Sequence, residues 1–530
     1  MKQLFYFFLV LGTCTTNAQE YYRNEIYNQN LNPEACSEII LGTESYYVFS
    51  ATFIYNVNNL NDGSLIVLRE FNYDGELINF DSLAVYGCKV WPQLADNVIQ
   101  TEDGGFLLAW EACGSRLFKF NSNLEFEWEQ QYENVFGLHS IAKNTNGYLI
   151  TGGVKNQLGD DDTDEDIWYA FIDSWGEISS EFIYGDEIRN DRILFTKTTN
   201  DGGYVLSGGR YHNWNPLIVK IDSIGNVAWE HTFGNDYQHG LGIGIPHSDS
   251  TYLFAYAIAE DDDLMYPQRV LKLVLLNSNG ELTEELYSSE LKNDFIVYDL
   301  EIAGDDIYIL FQQHSDIVSD PTGFRESGVL KYNLTTGLEW ERIYHGNLSN
   351  QDRFTLYDLE LLETPENEIS ILIAGNLFDY STTGSLLQST WVVGTDCEGY
   401  PVYPELNISA ELLDEGSPGD VLFENIGTQV NELNWWFSNG EMSSELSPQI
   451  NFYNNGAYEI ELTAPYCGET ISAIDTFYVE GVGIEDILST PKTIVKTIDV
   501  LGREVSRDYI GHVIDVFDDG TVRKRYSLKP

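Results

Sequence analysis

Between residues 44 and 403 the chain repeats one hydrophobic–polar rhythm. A polar turn is followed by an aromatic and aliphatic run of strand length, then by small residues. Asp103-Gly104-Gly105-Phe106-Leu107-Leu108-Ala109 is one copy. Asn146-Gly147-Tyr148-Leu149-Ile150-Thr151-Gly152-Gly153 and Asp201-Gly202-Gly203-Tyr204-Val205-Leu206-Ser207-Gly208-Gly209 repeat it. Looser copies begin at Glu44, Ser250, Asp305 and Asn367, which makes seven. A second phrase follows each copy, clearest in Ile218-Val219-Lys220-Ile221-Asp222-Ser223-Ile224-Gly225-Asn226-Val227-Ala228-Trp229. Its turn places Gly three residues after Asp or Asn, where glycine supplies a positive φ. The copy at Asn121-Ser122-Asn123-Leu124 has lost that Gly. Two hairpins per unit give four strands, and copies recur every 42 to 62 residues. Four-stranded units at that period are β-propeller blades. The expected fold is all-β, with a seven-bladed β-propeller over 19–403. No partner phrase follows Gly399, and Tyr21 to Tyr27 offers a strand to complete the last blade. Two β-sandwiches are the competing arrangement.

These repeats resemble the secreted propellers of Bacteroidetes that carry a delta-60 or quinoprotein-like repeat. The resemblance implies the fold alone. Quinoprotein dehydrogenases add a vicinal Cys pair, and this chain has none. Sialidase Asp-boxes place one residue between Asp and Gly, whereas most copies here place two.

Residues 404–481 break the rhythm. Trp435-Trp436-Phe437-Ser438-Asn439-Gly440 precedes Tyr453-Asn454-Asn455-Gly456-Ala457-Tyr458. This pair of phrases resembles the PKD-type immunoglobulin-like domain, which implies a β-sandwich. Tyr458, Ile460 and Leu462 alternate as one face of a strand should.

Both termini read as addresses. Residues 1–18 have Lys2, an apolar core from Phe5 to Leu11, and small residues at Thr16-Asn17-Ala18. That is the layout of a secretory signal peptide. Lipidation at Cys14 is an alternative. Residues 482–530 contain Asp499-Val500-Leu501-Gly502-Arg503-Glu504-Val505 and Asp518-Asp519-Gly520-Thr521-Val522, followed by Arg523-Lys524-Arg525. These blocks resemble the C-terminal sorting domain of the type IX secretion system of Bacteroidetes. The sorting residues implied are Leu501, Gly502, Arg503, Glu504, Val505, Asp518, Asp519, Gly520, Thr521 and Val522, and the implied partner is the secretion machinery. The family is more apolar across Gly511 to Asp515, where Asp515 interrupts the expected strand. Asp518-Asp519-Gly520 has hairpin-turn chemistry on its own account.

Charge sharpens this division. Lys and Arg total 28 against 84 Asp and Glu, a net −56. Residues 482–530 hold eight of each sign, so the first 481 residues carry the whole excess, 20 basic against 76 acidic. Such a field argues against nucleic acid and anionic membranes as partners. Past the N-terminus no apolar run is long enough for a membrane span.

Candidate chemistry is sparse. Cys88 and Cys113 flank one hairpin and are the best disulfide candidates, which an exported protein can keep. Asp160, Asp162, Asp164 and Asp166 lie in one acidic loop, and Glu260 to Asp263 in the corresponding loop two blades on. Oxygen-rich loops suit calcium, the one ion these residues suggest, although a solvated acidic loop explains them better. The eight His form no zinc pair, and no Gly-x-Ser-x-Gly or phosphate loop occurs. Exposed aromatics such as Tyr211 and Trp214 could stack on sugars. The expectation is a protein exported through the periplasm to the cell surface or medium. It would bind a glycan or surface protein without catalysis. A propeller glycosidase or polysaccharide lyase is the alternative.

Overall fold

A computed structural model of the chain describes residues 25–27 and 34–527, apart from 55–62, 74, 92–95, 156–164, 186–189, 212–214, 235–239, 260–267, 291, 315–324, 345–352, 364–368, 380–386, 401–405, 414–419, 428–429, 431, 468, 480–492, 507–508, 510 and 519. The described residues are strands and turns, with no α-helix among them. They fall into two compact units, Met1–Tyr403 and Pro404–Pro530. The signal-like segment 1–18 lies outside the described residues.

The first unit is a propeller-like succession of antiparallel meanders. Strands Glu34–Leu41, Ser45–Ile54, Gly63–Asn72 and Leu77–Tyr86 pair in chain order, as do the four strands from Val135 to Tyr184 and the four from Asn190 to Thr232. Between the first two of these sets, Val90 to Tyr132 forms a five-stranded sheet whose first edge is broken into two short strands. From Gly242 to Tyr344 two such meanders share one sheet, joined only where Gln268 and Arg269 meet Asn293 and Lys292. In the last sheet, Arg353–Glu363, Ile369–Asp379 and Leu387–Gly394 are completed by Glu25–Tyr27, with Glu25 opposite Val392 and Tyr27 opposite Thr390.

The first strands of these meanders follow a closed circuit. Glu34–Leu41 lies beside Val98–Gln100, which lies beside Val135–Asn144. The circuit continues through Asn190–Thr198, Gly242–Ser248, Lys292–Ala303 and Arg353–Glu363, then returns to Glu34–Leu41. The apolar core is distributed accordingly, in clusters that each bridge neighbouring meanders. One of them closes the circuit, joining Ile39, Val48 and Phe71 to Leu372, Ala374 and Val392. Inner and middle strands are buried on both faces, whereas outer strands such as Phe126–Tyr132 and Ile178–Tyr184 alternate toward solvent. That gradient explains why the middle strands read as continuous apolar runs.

The recurrent Asp-x-x-Gly phrase has a double use. At Asp222 the carboxylate accepts the N–H groups of Ile224 (3.0 Å) and Asn226 (2.8 Å), while Gly225 N–H returns to the Asp222 carbonyl at 3.1 Å. Asn121, Asp173, Asn277 and Asp396 repeat this turn. The bare face of the turn glycine also receives an aromatic ring from the preceding meander: a Cβ on Gly280 would meet Trp229 at 2.3 Å, and one on Gly399 would meet Trp340 at 2.7 Å. Tyr132, Tyr169 and Tyr344 seal the same joint by donating to the carbonyls of Gly176, Gly225 and Gly399.

In the second unit, Ile408–Leu412, Asp420–Asn425 and Gln449–Asn451 form one sheet, and Met442–Ser443, Asn434–Phe437, Gly456–Tyr466 and Glu469–Val479 form another. Phe423 of the first packs against Trp435, Phe437 and Phe477 of the second, so the sheets face each other across an aromatic core. A third sheet, Ile494–Asp499, Gly511–Phe517 and Val522–Ser527, completes the unit.

Candidate functional site

The terminal sheet builds its surface from two tight turns. In the first, the Asp499 carboxylate accepts the N–H groups of Leu501 and Arg503, both at 2.9 Å, and the Arg503 guanidinium closes on it at 2.7 Å. Bonds from the Arg503 backbone and side chain hold the Asp499 carboxyl below its ordinary range. Gly502, at φ 80°, completes the turn. It is the device already met at Asp222. Leu501 is left 73% exposed. Glu504 bridges to Ile498, and Val505 N–H donates to the Thr497 carbonyl at 2.9 Å.

In the second turn, Phe517 N–H donates to the Thr521 carbonyl and Gly520, at φ 86°, returns to Phe517. Asp518 N–H donates to the Thr493 carbonyl, and Val522 opens the last strand with its side chain exposed. Asp519 lies outside the described residues. Asp515 does not interrupt its strand. It sits within Gly511–Phe517, fully buried, accepting from Thr497 Oγ1 and Arg525 Nε, each at 2.6 Å, and from Arg523 at 3.2 Å. Burial opposes its charge, but these donors prevail and keep the carboxyl below its usual value. The basic run after the turn is thus partly a clamp on one buried acid.

A second polar constellation lies where the first strands of the first unit converge. Register shifts between Cys36 and Glu38, Val297 and Asp299, and Leu356 and Asp358 mark β-bulges, which re-aim the residue that follows. Each carboxyl then crosses to the neighbouring first strand. Asp299 accepts Leu359 N–H at 2.9 Å, Asp358 accepts Ile39 N–H at 2.5 Å, and Glu38 accepts the N–H groups of Asn97 (2.8 Å) and Val98 (2.6 Å). Three successive junctions are latched in this way. Lys197 is the cation among them, 3.0 Å from both Asp96 and Glu301.

Burial, reinforced by neighbouring acids, pushes the Glu38, Asp299 and Asp358 carboxyls well above their usual range and Glu360 to about 8. Burial opposes the charge of Lys197, but Asp96, Glu301 and Asp299 outweigh it and raise its pKa. Burial thus favours the neutral form of these carboxyls, and the oxygens of Glu38, Asp299 and Asp358 serve backbone amides that tie neighbouring first strands together. Sequence reasoning missed it because 84 acids hide the few that matter. The available signal was an acid inside an otherwise apolar first strand, as in Tyr298-Asp299-Leu300 and Tyr357-Asp358-Leu359.

The remaining sequence candidates are dispersed. Asp160, Asp162 and Asp164 lie outside the described residues, as do Glu260 to Asp263 and Trp214. Asp166 lies in strand Glu165–Ile172, opposite Val154. Cys88 and Cys113 are joined by a disulfide, their Cα atoms 5.4 Å apart, and Cys36 is a free, buried thiol. Among the described residues no cluster of His, Cys, Asp or Glu is arranged to hold a metal ion. No helix among them is long and apolar enough to cross a membrane.

No family model matches the chain, and no curated protein does. Among solved structures, a protein of unknown function from Bacteroides caccae is 11% identical, with a TM-score of 0.34 over 59% of this chain and 94% of that one. The β-propeller domain of the Trilobed protease from Pyrococcus furiosus is 11% identical, with a TM-score of 0.36 over 71% and 99%. An acylaminoacyl peptidase from Pyrococcus horikoshii, also 11% identical at a TM-score of 0.36, is matched over 76% of this chain and only 57% of its own length. These likenesses are remote and carry no inference about activity.

Proposed function

We propose that this chain is a secreted or surface-displayed binding protein without catalytic activity. Its parts are a seven-bladed β-propeller, a PKD-type immunoglobulin-like module over 404–481 and a sorting domain over 482–530 read by type IX secretion machinery. The closed circuit of first strands supports the blade count, with Glu25–Tyr27 completing the last blade. The paired sheets around Phe423 and Trp435 support the sandwich.

The observation that carries the export reading is the terminal sheet. Its motif residues spend little of themselves on a core. They form two hydrogen-bonded turns that hold Leu501, Arg503 and Val522 toward solvent. A receptor that reads a folded surface needs that presentation. Calcium in the acidic loop around Asp160–Asp166 stays a subsidiary proposal. It is tested by whether millimolar calcium raises the melting temperature beyond the effect of sodium at equal ionic strength.

Deletion of 482–530 is the decisive experiment. The truncated protein should keep the near-ultraviolet spectrum of its propeller yet accumulate in the periplasm. Undiminished surface or medium levels would overturn the sorting role. Release of reducing ends or unsaturated sugars from a polysaccharide by the purified protein would overturn the non-catalytic reading.

A further inference from the structure

The four-stranded sheet of the second unit has one face closed and one face open. Trp435 and Phe437 point into the aromatic core, so alternation turns Asn434 and Trp436 outward. Trp436 is 36% exposed. Its cross-strand partners are Met442 on one side and Glu461 on the other, with Ile474 opposite Glu461 in the next strand. Asn434 stands opposite Thr463 on the same face. Asn434, Trp436, Met442, Glu461 and Thr463, with Ser443, line an open cavity of about 570 Å³. The wall is fixed from beneath: the Trp435 indole N–H donates to the Glu445 carbonyl at 3.0 Å, and Glu445 N–H donates to Ser443 Oγ at 3.1 Å. No hydrogen bond or ion pair among the described residues engages the Asn434 amide or the Glu461 carboxylate.

A shallow cavity with an indole floor and amide, hydroxyl and carboxylate groups at its rim matches few ligands. The indole offers a large apolar face at little conformational cost. The polar groups around it interrupt any patch wide enough for an apolar protein partner. A pyranose ring meets both demands, since it has one C–H face to stack and hydroxyls at its edge to accept and donate. The only ionisable group in the cavity lining is Glu461, and the same strand also exposes Glu459. With the chain at net −56, an anionic polymer would be repelled.

We propose that this sheet face is a carbohydrate-binding site for a neutral polysaccharide, with Trp436 as the stacking platform and Asn434, Glu461 and Thr463 as hydroxyl partners. The site rests on the binding reading above and gives it a ligand class.

The test is affinity electrophoresis and calorimetry of the whole chain with laminarin, xylan and galactomannan as neutral probes and alginate as the anionic one. At least one neutral glycan should bind and alginate should not. Trp436→Ala should weaken that binding about ten-fold or more, while Trp436→Phe should keep part of it. Glu461→Gln should keep the fold and change affinity without admitting alginate. Unchanged melting temperatures would show that the variants fold. Unaltered binding by Trp436→Ala, a preference for alginate, or no binding of any neutral probe would overturn the proposal. Adhesion of the labelled protein to cells and protein-coated surfaces is scored in parallel. If adhesion persists without glycan binding, only the site proposal fails. If both are absent, the binding reading fails with it.

Discussion

Gly280 sits at φ 76°, where an added Cβ would strike Trp229 at 2.3 Å. Gly280→Ala combines backbone strain with overpacking, each costing about 1–2 kcal/mol, so about 2–4 kcal/mol should be lost. Urea denaturation at constant m-value measures it. Leu124 occupies the equivalent position at φ 67° without a glycine, and its side chain is fully buried. Leu124→Gly relieves about 1 kcal/mol of strain but loses a buried leucine worth about 2–3 kcal/mol, so it should destabilise on balance. The turn was legible in sequence because its chemistry is confined to five residues. The packing of Trp229 on Gly280 was not, since the ring and the glycine belong to different repeats. Glu34 and Arg69 form a buried pair at 2.6 Å, and Ser50 and Thr390 also donate to Glu34. Glu34→Ala leaves that guanidinium buried without its counter-charge. The loss should be about 3–5 kcal/mol, against near neutrality for an exposed acid such as Glu129.

At the level of strands and sheets, bulges and clamps decide more than propensity does. Asp515 reads in sequence as a polar fault in a strand, and in the sheet it is the centre around which Thr497, Arg523 and Arg525 gather. A strand pattern cannot show this, because the clamp arises only once three strands are in register. The carboxyl is depressed from its ordinary 3.8, so its contribution is present above that pH and lost as the pH falls through the lowered value. Protection of 494–527 against amide exchange, taken relative to the intrinsic rate at each pH, should therefore fall selectively in acid, and Asp515→Ala should reproduce that loss at pH 7. Equal protection in the variant and the parent would refute the clamp. The Cys88–Cys113 bond staples a sheet whose first edge is broken. Replacing both by Ser should cost about 2–4 kcal/mol and lower the melting temperature of the first unit.

For the whole molecule, the latched first strands set a pH dependence of the opposite sign. Burial, with Glu301 beside it, pushes the Glu360 carboxyl up to about 8 in the fold, from an ordinary 4.5. Between those values the native state holds the extra proton, so stability is full below pH 4.5 and falls as pH rises through 8. Self-repulsion of the −56 surface adds in the same direction. The first unit should melt at a higher temperature at pH 5 than at pH 8. Glu360→Gln should flatten that difference by stabilising the alkaline side. A melting temperature that rises toward pH 8 would contradict the raised Glu360 carboxyl. The recurring turn-and-strand rhythm made the propeller-like succession of meanders readable from sequence. Its polar centre was not, because each carboxyl is spaced from its partners by whole repeats.

Glu25 faces Val392 across the sheet that ends the circuit, so the first described strand to be synthesised pairs with nearly the last of the first unit. At about 5–20 residues per second, ribosomal synthesis of the intervening chain takes roughly 20 to 70 seconds. Until then the edge reserved for Glu25–Tyr27 does not exist, and every earlier meander can form without it. Closing so long a loop carries a large entropic cost, although that cost grows only with the logarithm of length. The ring thus assembles from local, fast-forming hairpins and finishes with one slow, long-range step. A chain intercepted before that step is an open arc with two bare sheet edges. Anything that meets the chain in that interval meets a different object from the closed one.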